Sequence, residues 1–445
     1  PVCFDVAEEH SSDEGGITVI KVDKPNMAQK GTVNIEKTGE VFSGVNVSGE
    51  ENTDVIYQPV YEVKGLAGAV YEITAAEDII TPDGTLRYAK GEVVDTVTTD
   101  ESGLAKSKEL YLGKYTVVEI TAPEGMVINK EAHDVELTYA GQEVSVTETA
   151  TSFVNDRQKV TVSLEKTIEK NDIFNIGNGD EMKNISFGLF AAEELVSTSG
   201  TSIPADGLIE IISLSENGKA VIKTDLPFGS YYVKELATDE HYILTDAKYP
   251  FIFSYAGQDT ANVEIAVNDG KPIENKLIYG SVSGKKITEN GEALGGAVIG
   301  LFKADETEFT KENALMTATS QKDGSFSFEK VPYGNWLVRE IEQPEGFVLD
   351  ETSYEVKISE VAQVIEVEIV NEYVHGNIKL TKVDEDYPDN KLTGATFEVY
   401  KDVNGDGKLD DDDELIGTLN ETSTGIYEMK ELLYGKYLVR ETKAP

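Results

Sequence analysis

The sequence predicts an all-β protein built from tandem β-sandwich units. Apolar and polar residues alternate over short stretches, and turn sequences such as Pro82-Asp83-Gly84 and Asn217-Gly218 separate these stretches. The sequence has no long amphipathic pattern typical of α-helices. The length of 445 residues exceeds the roughly 250–300 residues that one hydrophobic core supports. Several β-sandwiches in an elongated rod are therefore expected.

A seven-residue pattern recurs four times and marks one strand in each unit. A glycine is followed two positions later by an aromatic residue and six positions later by a glutamate. The copies are GKYTVVE ending at Glu119, GSYYVKE ending at Glu235, GNWLVRE ending at Glu340 and GKYLVRE ending at Glu441. Such self-similarity predicts a repeat architecture.

A second pattern joins the end of one unit to the start of the next. Four asparagines each precede a lysine by eleven residues: Asn26 and Lys37, Asn155 and Lys166, Asn275 and Lys286, Asn371 and Lys382. We expect units at residues 31–159 (unit 1), 160–279 (unit 2), 280–375 (unit 3) and 376–445 (unit 4). Residues 1–30 are expected to be the tail of a preceding unit, and unit 4 is expected to be truncated before its asparagine.

The lysines, glutamates and asparagines all continue the apolar face of a strand. Val33 and Ile35 have the same parity as Lys37, and Tyr115 and Val117 have the same parity as Glu119. The other units repeat this phase, and parity favours Lys286 over its neighbour Lys285. Three polar side chains per unit are therefore predicted to point into the core.

Two interpretations of these inward side chains are open. Each lysine could extend from a strand end to solvent and pair with the glutamate. Alternatively, burial lowers the pKa of the lysine and raises that of the glutamate, so that a neutral amine can attack the asparagine side chain. That reaction releases ammonia and leaves a Lys–Asn isopeptide bond, with the glutamate moving protons. Recurrence of the same three residue types favours the second interpretation.

The motifs resemble those of Cna-B-type, or SpaA-type, prealbumin-like domains of Gram-positive surface proteins. VVEITAPEGM from Val117 and VREIEQPEGF from Val338 resemble that family's E-x-x-x-P-x-G-aromatic motif, whereas unit 2 reads LATDEHY after Glu235. The resemblance implies an immunoglobulin-like (reverse-immunoglobulin) β-sandwich for each unit, with lysine on the first strand and asparagine on the last. It implies three bonds, Lys37–Asn155 with Glu119, Lys166–Asn275 with Glu235 and Lys286–Asn371 with Glu340. Asn26 and the pair Lys382 and Glu441 are the corresponding residues of the two incomplete units.

One acidic loop in unit 4 resembles an EF-hand loop. Its oxygen-bearing residues recur at alternate positions around a glycine, and the expected Ca²⁺ ligands are Asp402, Asn404, Asp406, Lys408, Asp410 and Asp413. Position twelve is an aspartate instead of the usual glutamate, and no helical pattern flanks the loop. The alternative is a solvated acidic turn. The cross-linking reaction itself requires no cofactor.

Composition limits the partners and the location. A net charge of −43, from 39 basic and 82 acidic residues, argues against nucleic acid, and no apolar stretch is long enough for a membrane span. One cysteine, Cys3, excludes an internal disulfide framework. The resemblance to domains of Gram-positive surface proteins implies an extracellular, cell-wall stalk of an adhesin or pilin, attached by sortase through a missing C-terminal region. The alternative is a module that binds a host extracellular-matrix ligand, with the insertion at residues 37–66 as the place to look. A turnover enzyme is disfavoured because the polar clusters are predicted to be buried.

Overall fold

A computed structural model describes residues 12–14, 17–19, 23–49 and 54–445 of the chain. Cys3 and most of the expected tail at residues 1–30 lie outside these ranges. Two short strands, β1 (Ser12–Glu14) and β2 (Ile17–Val19), pair in antiparallel fashion before unit 1. Across the described ranges there is no α-helix, only two 3-10 turns at Glu181–Asn184 and Val267–Gly270, so the all-β prediction is confirmed.

Unit 1 is a sandwich of two sheets. One sheet has the order β12-β11-β5-β8, and the other is centred on β3, which pairs with β4, β9, β10 and β13. The strands are β3 (Lys30–Ser48), β4 (Ile56–Gly65), β5 (Val70–Ala75), β6 (Ile79–Ile80), β7 (Leu86–Tyr88), β8 (Val93–Thr98), β9 (Leu104–Lys106), β10 (Leu110–Tyr111), β11 (Gly113–Thr121), β12 (His133–Leu137) and β13 (Val146–Asn155).

Unit 2 repeats this arrangement with sheets β19-β14-β22, to which β23 is added, and β18-β15-β20-β21. Its strands are β14 (Lys159–Ile168), β15 (Ser186–Ala191), β16 (Leu195–Val196), β17 (Ser202–Ile203), β18 (Leu208–Ser213), β19 (Lys219–Val221), β20 (Gly229–Ala237), β21 (Lys248–Phe253), β22 (Asn262–Ala266) and β23 (Ile273–Asn275).

Unit 3 has sheets β27-β24-β30 and β26-β25-β28-β29, and unit 4 has sheets β31-β35-β34 and β33-β32-β36. The strands of unit 3 are β24 (Tyr279–Thr288), β25 (Val298–Lys303), β26 (Met316–Thr319), β27 (Ser325–Pro332), β28 (Gly334–Glu342), β29 (Tyr354–Ile358) and β30 (Val364–Asn371). Those of unit 4 are β31 (His375–Thr381), β32 (Thr396–Lys401), β33 (Glu414–Thr418), β34 (Asn420–Ser423), β35 (Ile426–Leu433) and β36 (Tyr437–Lys443).

In units 1 to 3 the first strand pairs in parallel with the last strand. The register is the same each time: Phe153 lies opposite Lys37, Ile273 opposite Lys166 and Ile369 opposite Lys286. The asparagine follows two residues later on the last strand. Because alternate residues of a strand face the same side, lysine and asparagine both point into the sandwich.

The connection after the first strand of unit 1 packs against unit 2. Strands β3 and β4 form a long hairpin whose residues Phe42, Val45 and Tyr57 contact the buried core of unit 2. Ile56 at its end pairs with Leu208 of β18, so one sheet runs across the joint. The connection after the first strand of unit 2 likewise packs against the next unit. Its Phe174 lies edge-on to Trp336 of unit 3, with ring centroids 4.8 Å apart.

A second kind of contact recurs at the joints. The aromatic residue just before the motif glycine of one unit packs on the loop that follows the motif glutamate of the previous unit. A Cβ built on Gly125 would lie 2.9 Å from the ring of Phe228, and one on Gly346 would lie 3.2 Å from Tyr434. Both glycines also have positive φ angles, +85° and +89°. These loops therefore use glycine because the next unit's aromatic ring sits on the backbone.

Candidate functional site: three buried Lys–Glu–Asn clusters

Each of units 1 to 3 contains one lysine that is completely enclosed. The exposed fractions of Lys37, Lys166 and Lys286 are 0%, 1% and 0%. Loss of water around the amine lowers the pKa of all three lysines, although the neighbouring glutamate opposes the shift. None of these side-chain nitrogens reaches solvent, so the lysines of units 1 to 3 lie beside the glutamates but do not extend out of the sandwich.

A buried glutamate from the opposite sheet meets each lysine. The motif strands β11, β20 and β28 carry Glu119, Glu235 and Glu340, each 1% exposed. The Nζ–Oε1 distances are 3.1 Å for Lys37 and Glu119, 3.3 Å for Lys166 and Glu235, and 3.6 Å for Lys286 and Glu340. Burial raises the pKa of Glu340, even though three hydrogen-bond and charge partners partly offset the effect.

The asparagine bridges the other two groups. Its side-chain oxygen accepts a hydrogen bond from the lysine, at 2.5 Å for Lys166 and Asn275, and its Nδ2 donates to the glutamate. The same contacts join Lys37, Asn155 and Glu119, and also Lys286, Asn371 and Glu340. The Nδ2–Oε1 distances are 3.0 Å, 2.7 Å and 2.9 Å in units 1, 2 and 3.

The cluster thus places an amine, a carboxyl group and a carboxamide within hydrogen-bond distance, away from water. The amine nitrogen lies beside the carboxamide that it would attack. The carboxyl group contacts both nitrogens, so that it can take a proton from one and give one to the other.

A comparison with known domain families finds four copies of one domain in tandem. The SpaA prealbumin-like fold domain matches residues 60–151, 158–270, 280–373 and 376–445. The chain belongs to the SpaA prealbumin-like domain family. The matched ranges cover most of the chain, and the first begins at residue 60, within β4 and after the strand that carries Lys37.

Solved structures and curated proteins resemble parts of this SpaA array. The Bacillus anthracis TIE protein is 19% identical with a TM-score of 0.52, covering 77% of this chain and 51% of that chain. BcpA, the major pilin subunit of Bacillus cereus, is 15% identical with a TM-score of 0.33, covering 78% and 100%. The trypsin-resistant surface T6 protein of Streptococcus pyogenes is 26% identical over 139 residues, which are 31% of this chain and 25% of that protein. Colossin-A of Dictyostelium discoideum is 26% identical over 272 residues, which are 57% of this chain and only 2% of that protein.

The SpaA domain of unit 4 has a lysine and a glutamate but no asparagine beside them. Lys382 Nζ lies 2.9 Å from Glu441 Oε2, and the two side chains are 27% and 32% exposed. Its first strand pairs with β35 and, within the ranges described, has no parallel neighbour. Asn26, the asparagine predicted for a preceding unit, is exposed before β3 and has no hydrogen bond to Lys382 or Glu441. Lys285, the rival of Lys286, is exposed on the opposite side of β24.

The aromatic residue of the SpaA motif has a role that the sequence pattern alone did not explain. In every unit its ring N–H or O–H donates to the backbone carbonyl four residues upstream. The bonds are Tyr115 to Tyr111 at 2.5 Å, Tyr231 to Pro227 at 2.5 Å, Trp336 to Pro332 at 2.9 Å and Tyr437 to Leu433 at 2.6 Å. Trp336 can replace tyrosine because indole also has a donor on an apolar ring.

The expected calcium loop uses its carboxylates to hold its own backbone. Asp402 accepts the N–H groups of Gly405 and Gly407 at 2.7 and 3.0 Å, and Asp413 accepts that of Asp410 at 2.9 Å. The ammonium of Lys436 donates to the Gly405 carbonyl at 3.0 Å. Within the residues that the structure describes, no three His, Cys, Asp or Glu side chains converge as metal ligands. These contacts order the backbone of the loop, and occupation by Ca²⁺ stays a prediction.

Proposed function

We propose that this chain is the stalk of a Gram-positive surface protein whose units 1 to 3 cross-link themselves through Lys–Asn isopeptide bonds. The observation that carries the proposal is the threefold recurrence of a dry Lys–Glu–Asn cluster in the same register. The family supports the structural role, since similar solved structures include pilin subunits. Wall attachment by sortase and an extracellular location follow from the same proposal.

The reaction balances within the cluster of each unit. The neutral Nζ of lysine attacks Cγ of asparagine, and the C–Nδ2 bond breaks. Nζ gives one proton to the glutamate, the glutamate gives one to Nδ2, and ammonia leaves. The product is a secondary amide, and the glutamate ends as it began. Because lysine and asparagine are consumed, each cluster reacts once, and the chain is not a turnover enzyme.

The mass of the intact protein tests the proposal. We expect the full chain to be lighter than its sequence by three molecules of ammonia, and peptide mapping should recover Lys37–Asn155, Lys166–Asn275 and Lys286–Asn371 as branched peptides. Glu119→Gln should lose only two molecules of ammonia, because the Lys37–Asn155 bond does not form. Glu441→Gln should still lose three, because no asparagine lies beside that residue. A mass equal to that of the sequence would overturn the proposal.

The alternative of a ligand-binding module at residues 37–66 finds little support in the described residues. Phe42 and Tyr57 of the hairpin pack against unit 2, and Tyr61 lies under the guanidinium of Arg157, with 3.8 Å between the guanidinium carbon and the ring centroid. The aromatic surface that a ligand would need is used for the joint between units. The structure also has no helix, among the residues it describes, that is long and apolar enough to cross a membrane.

A further inference from the structure

The cluster of unit 2 differs from the other two in what contacts the second glutamate oxygen. Oε2 of Glu119 accepts the backbone N–H of Asn129 at 2.8 Å, and Oε2 of Glu340 accepts that of Asp350 at 2.9 Å. Oε2 of Glu235 is buried and has no hydrogen-bond partner. Unit 2 must therefore hold its reacting groups with a different set of contacts.

A threonine hydroxyl supplies the additional contact. Asn275 Nδ2 donates one hydrogen to Glu235 Oε1 at 2.7 Å and another to Thr238 Oγ1 at 2.8 Å. The oxygen of the same carboxamide accepts from Lys166 at 2.5 Å. Three contacts thus fix the plane of the Asn275 side chain, with all of its N–H groups used.

The local sequence explains why this hydroxyl occurs only here. Thr238 stands three residues after the glutamate, where unit 1 has Ala122 and unit 3 has Gln343. It follows β20 directly, and the turn after it lacks the proline and glycine of the other units. Asp239 holds that turn instead, through the ring of His241 at 2.6 Å and the amide of Asn184 at 2.7 Å.

We propose that Thr238 is a positioning residue for cross-linking in unit 2, holding the leaving nitrogen of Asn275 so that Cγ faces the amine of Lys166. This inference rests on the proposed function. Thr238 gains and loses no proton overall: Nζ gives one to Glu235, Glu235 gives one to Nδ2, and Nδ2 departs as ammonia while the amide forms. Held by the hydroxyl, the nitrogen keeps its orientation as the C–N bond lengthens.

The test measures the rate of each bond in one molecule. The full chain is made by pulsed cell-free synthesis, and the three branched peptides are quantified over time for wild type, Thr238→Val and Thr238→Ser. Loss of one hydrogen bond should slow Lys166–Asn275 formation in Thr238→Val about tenfold. Thr238→Ser should keep close to the wild-type rate, because it retains the hydroxyl.

The other units serve as internal controls. The Lys37–Asn155 and Lys286–Asn371 bonds should form at unchanged rates in both variants. Gln343→Val, at the same motif position in unit 3, should leave the Lys286–Asn371 rate unchanged, because Gln343 is exposed there. An unchanged Lys166–Asn275 rate in Thr238→Val, or equal slowing in the serine variant, would overturn the role of Thr238 alone. Absence of all three bonds from the wild type would overturn the proposed function as well.

Discussion

Replacing the glutamate of one cluster should prevent the cross-link in that unit and so remove most of the stability that the cross-link adds. We choose Glu340→Gln in unit 3, because glutamine keeps the side-chain volume and can still accept from Asn371 Nδ2, but it cannot carry a proton between two nitrogens. The variant should fold with its lysine and asparagine unjoined. The Lys37–Asn155 and Lys166–Asn275 bonds should form as in the wild type.

The magnitude follows from the loop that the bond closes. Lys286 and Asn371 are 85 residues apart in sequence. By the chain-entropy treatment of cross-links, a loop of this length removes about 4.5 kcal/mol of unfolded-state entropy. For a unit of roughly 100 residues, each kcal/mol moves the melting temperature by about 4–8 °C. The transition of unit 3 should therefore fall by roughly 20–35 °C.

Differential scanning calorimetry of the full chain, with intact mass on the same sample, measures this effect. Asn371→Ala should lower the same transition by a similar amount while keeping Glu340, since it also prevents the bond. Glu441→Gln in unit 4 should leave the transition of unit 3 unmoved. If Glu340→Gln lacks the bond by mass and its unit melts within a few degrees of the wild type, the loop-entropy reasoning is refuted.

Three further changes test the joint, the motif ring and the acidic loop. Arg157→Ala removes the guanidinium that lies over the Tyr61 ring and the ion pair with Asp225 across the joint of units 1 and 2. Small-angle X-ray scattering should then show a wider range of conformations than the wild type. Lys106→Ala, a change within unit 1, should give the wild-type scattering curve. Tyr231→Phe leaves the carbonyl of the fourth residue upstream without its donor, and calorimetry should show a loss of about 1–2 kcal/mol in unit 2 with all bonds intact. Asp402→Ala removes the acceptor of two N–H groups and should cost unit 4 about 2 kcal/mol in chelator. If the loop binds Ca²⁺ as predicted, the loss should be larger in calcium, and an equal loss in both solutions would contradict the calcium prediction.

The sequence was sufficient to predict the contents of the buried clusters because their members follow strand parity. Lys37 continues the apolar face of Val33 and Ile35, and these residues are indeed buried with it. The constant interval of eleven between Asn155 and Lys166 has a structural reason. The last strand of one unit and the first strand of the next are joined by a short connection of the same length at each joint from unit 1 to unit 4.

Contacts between distant parts of the chain could not be predicted in the same way. The hairpin around Phe42 reads as an insertion in the sequence, and nothing local indicates that it packs against unit 2. Thr238 was also missed, although the departure of LATDEHY from the family motif was the signal that could have found it. The carboxylate of Asp402 shows a third limit, since one spacing of acidic residues suits both a metal cage and a loop that caps its own N–H groups.

The position of the proposed cross-link would decide how a unit carries tension. The chain enters unit 3 at Tyr279 on β24 and leaves it after Asn371 on β30. These two strands are neighbours and run parallel. Tension that enters along β24 reaches Lys286 after seven residues, and an isopeptide bond would carry it directly to Asn371. The residues between Lys286 and Asn371 then lie outside the path of force. Extension would then come only from the joints, where Phe174 packs on Trp336, Tyr333 donates to Glu240 and Tyr434 donates to Glu345. Insertions after the first strand in units 1 and 2 add contacts at the places that the proposed cross-links would leave without a covalent bond.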